Sequence, residues 1–223
     1  MKKPTLLLII VTLLSHFSFA QSDNWNLAGF TPAGEVEILD DLSEAENLQK
    51  GELIFAKAKG VFSISPINTI NNRALLKLKS EASLRGASHI FIDYRNIENS
   101  VVSKSSMYSA RIYKQEQVSI AEVKKAIEGK KLLIKMETKY SRNGWKASVY
   151  KVNDFININL NAPLEEKNGK VYIKLRNKDG DPKSGRYEGS YLYEIVASEG
   201  NRLLVFKENI KGTSMSLLGV EIE

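Results

Sequence analysis

Residues 69–97 read TINNRALLKLKSEASLRGASHIFIDYRNI, and the change of hydrophobic period inside this stretch decides the fold. Asn71, Leu75, Leu78 and Ala82 recur at offsets of four, three and four, with Ile70 and Ala74 beside them. That spacing gathers the small and apolar side chains on one face of a helix. Arg73, Lys77, Lys79 and Arg85 fall mainly off that face. Gly86 is placed to end the helix in a left-handed turn. The β-branched and aromatic run after it, from Ala87 to Ile97, reads as a strand.

Residues 51–65 (GELIFAKAKGVFSIS) read as a strand before the helix, with Gly60 as a bulge or bend and Ser65-Pro66 as its end. After a polar turn, MYSARIYKQE supplies a further strand. The order strand, helix, strand, strand makes a βαββ module of residues 51–117. Ahead of it, residues 21–50 read as an acidic N-terminal arm, loose over 21–34. The arm continues with a short strand at EVEIL and a short helix opened by the capping box Ser43-Glu44-Ala45-Glu46. A second capping box, Ser119 to Glu122, opens a connecting helix over residues 118–130, with Ile120, Val123 and Ile127 on one face. From residue 131 to 223 the pattern becomes repeated short strands separated by SRN, NAPLEEKNG, KDGDPKSG, SEGN and NIKGT. Such spacing implies an antiparallel β-barrel or sandwich. The expected class is α+β, with two modules separable near residues 115–130.

Residues 1–20 carry Lys2 and Lys3, an apolar run from Leu6 to Leu14, and Ser18-Phe19-Ala20, the anatomy of a signal peptide cleaved before Gln21. The apolar run falls short of the roughly 20 residues that a membrane span requires. An exported protein, periplasmic or secreted and without a membrane span, is expected. The chain has no cysteine, which removes disulfides, thiolate metal sites and cysteine nucleophiles together. Charge is polarised: residues 21–52 carry a net −7 and residues 53–223 a net +11. That pattern fits either an acidic arm on a basic body or a body drawn to polyanions.

The helix ending in Gly86-Ala87 before a strand, followed by Ala110-Arg111-Ile112-Tyr113 on a later strand, is similar to the pattern of small bacterial envelope domains. These are the YdgH/BhsA-type periplasmic stress and biofilm proteins and the RcsF-like and YbjQ-like folds. The resemblance spans residues 60–114 and implies a βαββ fold in an envelope setting. It does not extend to the C-terminal module, and the cysteines of the RcsF type are absent.

Few residue patterns in the sequence point to chemistry. Residues 177–188 (NKDGDPKSGRYE) place oxygen-bearing side chains at positions 1, 3, 5 and 12 of a calcium loop. Pro182, however, stands where such a loop turns on glycine, and the flanks read as strands. A hairpin turn accounts for the composition. His89 is the only histidine after residue 20 and sits in a strand with no nucleophile motif beside it. Carboxylates such as Glu137, Asp154, Glu194 and Glu208 offer no spacing that singles out a pair. No phosphate loop or nucleophile elbow occurs. Trp145, Tyr150, Tyr172, Tyr187 and Tyr191, interleaved with Arg186, form the expected ligand-binding group. The competing reading is that these aromatics simply cover a strand face.

The expected function is a non-enzymatic envelope protein, a binding or accessory module tied to stress response or surface organisation. The alternative is a small-ligand carrier with a pocket in the C-terminal module. No cofactor or metal is expected, and the partner is an envelope protein or a polyanionic envelope component rather than nucleic acid. If residues 177–188 form only a turn, millimolar calcium leaves the melting temperature unchanged. A calcium-dependent rise that disappears in the Asp179→Asn/Asp181→Asn variant would instead identify a metal site.

Overall fold

The computed structural model describes residues 25–60, 65–100, 103–115, 118–144, 147–158, 164–176, 190–209 and 212–223. Among these, the chain is α+β and mostly β, with two α-helices and eleven strands arranged in two sheets.

The first sheet contains β1 (Glu37–Leu39), β2 (Gln49–Lys59), β3 (His89–Asn99) and β4 (Lys104–Lys114), in the order β1-β3-β4-β2. Its pairings are antiparallel apart from β1 with β3. Helix α1 (Ile67–Leu84) lies on one face. Ile70, Ala74, Leu78 and Ala82, all wholly buried, pack on Ile54, Ala56, Ala58, Ile90, Ala110 and Ile112. The stripe is the one read from the sequence. Its polar member, Asn71, accepts hydrogen bonds from the hydroxyls of Ser106 and Tyr108. The helix ends as expected: Ala87 N–H donates to Ala82 O and Gly86 N–H to Ser83 O, a Schellman closure. Gly86 has φ 73°, and a Cβ there would stand 2.8 Å from Val196 Cβ, so glycine is needed for both conformation and space.

The second sheet holds β5 (Leu132–Ser141), β6 (Ser148–Ile158), β7 (Leu164–Lys167), β8 (Lys170–Arg176), β9 (Ser190–Glu199), β10 (Arg202–Glu208) and β11 (Ser214–Ile222). Their order is β6-β5-β11-β10-β9-β8-β7, every pairing being antiparallel. The sheet curls until β6 touches β8 through Asn157↔Arg176 and Ile158↔Leu175. It is therefore a curled single sheet, neither the closed barrel nor the sandwich expected from strand spacing. Residues 164–167, which the sequence placed in a separator, form β7. Asn168 and Gly169, at φ 54° and 71°, make the two-residue turn into β8. Helix α2 (Ile120–Ile127), capped by Ser119 Oγ accepting from Glu122 N–H, packs Val123 and Ile127 against Leu132, Ile173, Leu203 and Val205.

Two expectations for the arm are corrected. The segment after β1 is a single 3-10 turn, Leu42–Ala45, capped by Asp41 rather than by Ser43. Asp41 Oδ1 takes the Ser43 N–H at 2.8 Å, and the few residues between β1 and β2 leave room for only one turn. Nor is the start of the described chain loose. Trp25, Leu27 and Phe30 are buried together with Leu84, Met136, Tyr140, Val196, Leu204, Phe206 and Leu217. The boundary expected at residues 118–130 is thus crossed by an apolar cluster drawn from the arm, from α1 and from the second sheet.

The indole of Trp25 seats on Gly219, where an added Cβ would approach Trp25 Cδ2 to 2.6 Å. Gly219→Ala therefore displaces the arm and is expected to cost about 1–3 kcal/mol, while Trp25→Ala costs about 3–5 kcal/mol. In a Trp25→Ala background the cost of Gly219→Ala should nearly vanish. Additive costs in denaturant titrations would show that the indole is not seated there.

Candidate functional site

Helix α1, packed on the first sheet, also delivers two charges into the junction with the second sheet. Glu81 and Arg85 are four residues apart, so they share a helix face. Both are buried where α1 meets the second sheet. Sequence periodicity places Arg85 off the apolar face of the helix; in the structure it lies at the centre of an ion-pair chain. Its guanidinium reaches Glu52 of β2 at 2.8 Å, Glu81 at 3.2 Å and Glu208 of β10 at 2.6 Å. It also stands 5.1 Å from the centroid of the Phe206 ring. Arg142, just after β5, bonds Glu81 and lies 3.2 Å from Glu208. In the other direction Glu52 meets Lys170 of β8 at 2.9 Å, and Lys170 meets Glu194 of β9 at 2.9 Å. Glu194 in turn meets Lys114, the last residue of β4, at 2.7 Å.

Four cations and four carboxylates thus alternate along one continuous, neutral chain. Burial alone would raise the pKa of Glu52, but Lys170 and Arg85 outweigh it and hold the carboxyl at about 2. Burial alone would lower the Arg85 pKa, yet Glu208, Glu81 and Glu52 drive it upward. Lys170 is likewise raised against its burial, by Glu194 and Glu52.

Beside the Arg142 end of this chain a groove of about 650 Å³ opens between the two sheets. One wall is a run of consecutive β2 residues, Phe55 to Lys59. Arg73 and Lys77 of α1 line the groove as well, and the opposite wall comes from Tyr140, Arg142 and Asn143 with the β10–β11 turn at Gly212 and Thr213. Its described lining holds five cations and no carboxylate. Lys77 Nζ donates to the carbonyl oxygens of Lys57 and Arg142, at 3.3 and 2.9 Å. Burial lowers its pKa. Phe55 is 56 % exposed, with the Arg142 guanidinium 5.3 Å from its ring centroid. The Tyr140 phenol, pushed up to about 12 by burial and by Glu81, stays protonated.

The aromatic group expected from the sequence is not assembled among the described residues. Trp145, Arg186 and Tyr187 lie outside them, as does the loop 177–188. Tyr191 pairs with Leu175 on β9, its side chain also outside the described set. Tyr150 is half-exposed on β6, with the Lys139 ammonium 5.5 Å from its ring centroid. Tyr172 lies opposite Glu194 on β8. The β6–β8 register carries Tyr150 and Tyr172 in opposite directions, on the order of 30 Å apart along the strands.

Three of the four candidate acids are engaged by cations: Glu194 by Lys114 and Lys170, Glu208 by Arg85 and Arg142, Glu137 by Lys139; the Asp154 side chain lies outside the described residues. His89 contacts Ser88 Oγ through Nδ1 at 2.8 Å and Glu37 through Nε2 at 3.4 Å. Among the described residues no group of three or more His, Asp or Glu side chains is arranged to hold a metal ion. No family model, curated protein or solved structure matches the chain.

The depressed Glu52 pKa fixes the sign of its pH effect. The contribution is complete above the ordinary glutamate value of 4.5 and is lost as pH falls toward 2. Glu52→Gln should lower the melting temperature at neutral pH and flatten its decline between those values, and an unchanged acid limb would remove Glu52 from the linkage. Arg85→Met leaves Glu81 to Arg142 alone and the ion chain one cation short, and should cost roughly 3–5 kcal/mol.

Proposed function

We propose that the protein is a non-enzymatic, exported binding module whose inter-sheet groove takes an anionic group of an envelope partner. The leader-like residues 1–20 and the envelope-type pattern of residues 60–114 motivate the setting. The first sheet with α1, read as a βαββ unit, supplies the groove's strand and helix.

The observation that carries the reading is a contrast in charge pairing. In the ion-pair chain every cation has a carboxylate within 3.2 Å. In the groove, among the described residues, Lys57 and Lys59 have no carboxylate partner, and Lys77 is satisfied by backbone carbonyls. An anion entering there would meet cations already gathered by the fold and backed by the low-dielectric wall of the two sheets. The carrier alternative has less support, because Val123 and Ile127 fill the concave face of the curled sheet against wholly buried Leu132, Ile173 and Leu203.

Titration calorimetry with inorganic polyphosphate as probe should show binding that weakens steeply as salt rises. Lys57→Gln/Arg73→Gln should abolish most of it, with the melting temperature within a few degrees of the parent. Binding that survives this double substitution would place the anion site elsewhere.

A further inference from the structure

The groove has a feature that a simple anion pocket does not require: its wall is a strand seen edge-on. β2 is an outer strand of the first sheet, and no described strand pairs with its far side. The direction of its backbone groups follows from one bond. Gly60 N–H donates to Lys104 O at 2.9 Å, which makes the facing pair Lys59↔Ser105 a non-hydrogen-bonded pair. The N–H and C=O of Lys59, and by alternation those of Lys57 and Phe55, therefore point away from β4 into the groove. The bond from Lys77 Nζ to Lys57 O agrees with this direction. That five consecutive residues of β2 line the groove shows the same thing, since a sheet face would present only alternate ones.

On this basis we propose that the groove binds an extended, acidic peptide segment of a protein partner, which adds to β2 as a further antiparallel or parallel strand. The inference rests on the anionic-partner reading above and names the chemistry of that partner. Main-chain bonds to Phe55, Lys57 and Lys59 would supply affinity, as in other strand additions. Selectivity for acidic side chains comes from both faces of the incoming strand. One face runs beside Lys57 and Lys59, which point to the bare side of the sheet. The other runs beside the small side chains of Ala56 and Ala58, where Arg73 and Lys77 overhang from α1. A compact anion would use the same cations and leave the strand edge unread. Edge lysines also discourage indiscriminate strand pairing; here they favour acidic strands over neutral or basic ones.

The test uses the full protein with three probes: a peptide of alternating Glu and Val, the same peptide N-methylated at alternate residues, and inorganic polyphosphate. The unmodified peptide should bind and slow amide exchange at Phe55, Lys57 and Lys59, whose N–H groups lack a β4 partner, with little change at Ala56 and Ala58. N-methylation along the pairing edge should weaken binding by about tenfold or more, since each lost main-chain bond leaves an unpaired group. If both peptides bind equally, or the amides of β2 gain no protection, strand addition is overturned while the anion site stands. Polyphosphate binding without peptide binding has the same meaning. If neither polyphosphate nor peptide binds, the anionic-partner reading itself fails.

Discussion

The alternating ion chain through Arg85 is the constraint on which the rest of the molecule depends. Removing a guanidinium and several carboxylates from water is costly, and the cost is offset only when each charge finds opposite neighbours in good geometry. Here the neighbours come from β2, α1, β4, the end of β5, β8, β9 and β10. Each side of the junction is neutral by itself, with Lys114, Arg85, Glu52 and Glu81 on the first and Arg142, Lys170, Glu194 and Glu208 on the second. Four of the pairs nevertheless cross it: Lys114 with Glu194, Lys170 with Glu52, Arg85 with Glu208 and Arg142 with Glu81. The charges thus specify how the two sheets meet, and the apolar cluster of Trp25, Leu84 and Phe206 adds burial beside Glu81 and Arg85 at their centre.

The groove follows from the same arrangement. Arg142 is drawn toward Glu81 and Glu208, which fixes the β5–β6 turn and the β10–β11 turn opposite the edge of β2. Lys77, one turn before Glu81 on α1, is carried to the rim, where carbonyls rather than carboxylates receive it. A neutral interior and a cationic cleft are therefore two consequences of one helix terminus.

Much of the fold was legible because it repeats with a period. The stripe Ile70, Ala74, Leu78, Ala82 and the Gly86 stop identify α1 and its buried face. The capping box at Ser119 locates α2. What escaped has no period. β7 was hidden by Glu165, Glu166 and Lys167, although the Asn168-Gly169 that follows is a strong hairpin signal. The curl of the second sheet depends on the two pairs that join β6 to β8, a long-range contact with no local mark. The site was less legible still. Tyrosines stand out in the sequence because they are large, yet Tyr150 and Tyr172 diverge along the register. Arg85 looked like a surface cation, because its partners Glu52 and Glu208 are 33 and 123 residues away. The Glu81–Arg85 spacing was the one local hint, and that spacing is common on solvated helices.

Sheet edges complete the logic. The curled sheet brings its own margins together, β6 meeting β8 beside β7. The first sheet is open and has two margins to manage. Beyond β3 the short β1 covers residues 89–91 and leaves the rest of that strand to charged and polar side chains such as Asp93, Arg95 and Glu98. The margin at β2 is managed differently. It is set back behind the turns of the other sheet, so that access is limited to a slot rather than open on all sides. Shielding of that kind blocks a second broad sheet but not a single chain, and the lysines that face the slot discriminate by charge. An edge that only needed protection would be served by a covering loop or a proline. One that keeps main-chain groups without a strand partner in a cationic slot retains the capacity to be completed, which is why the groove and the edge are best understood as one surface.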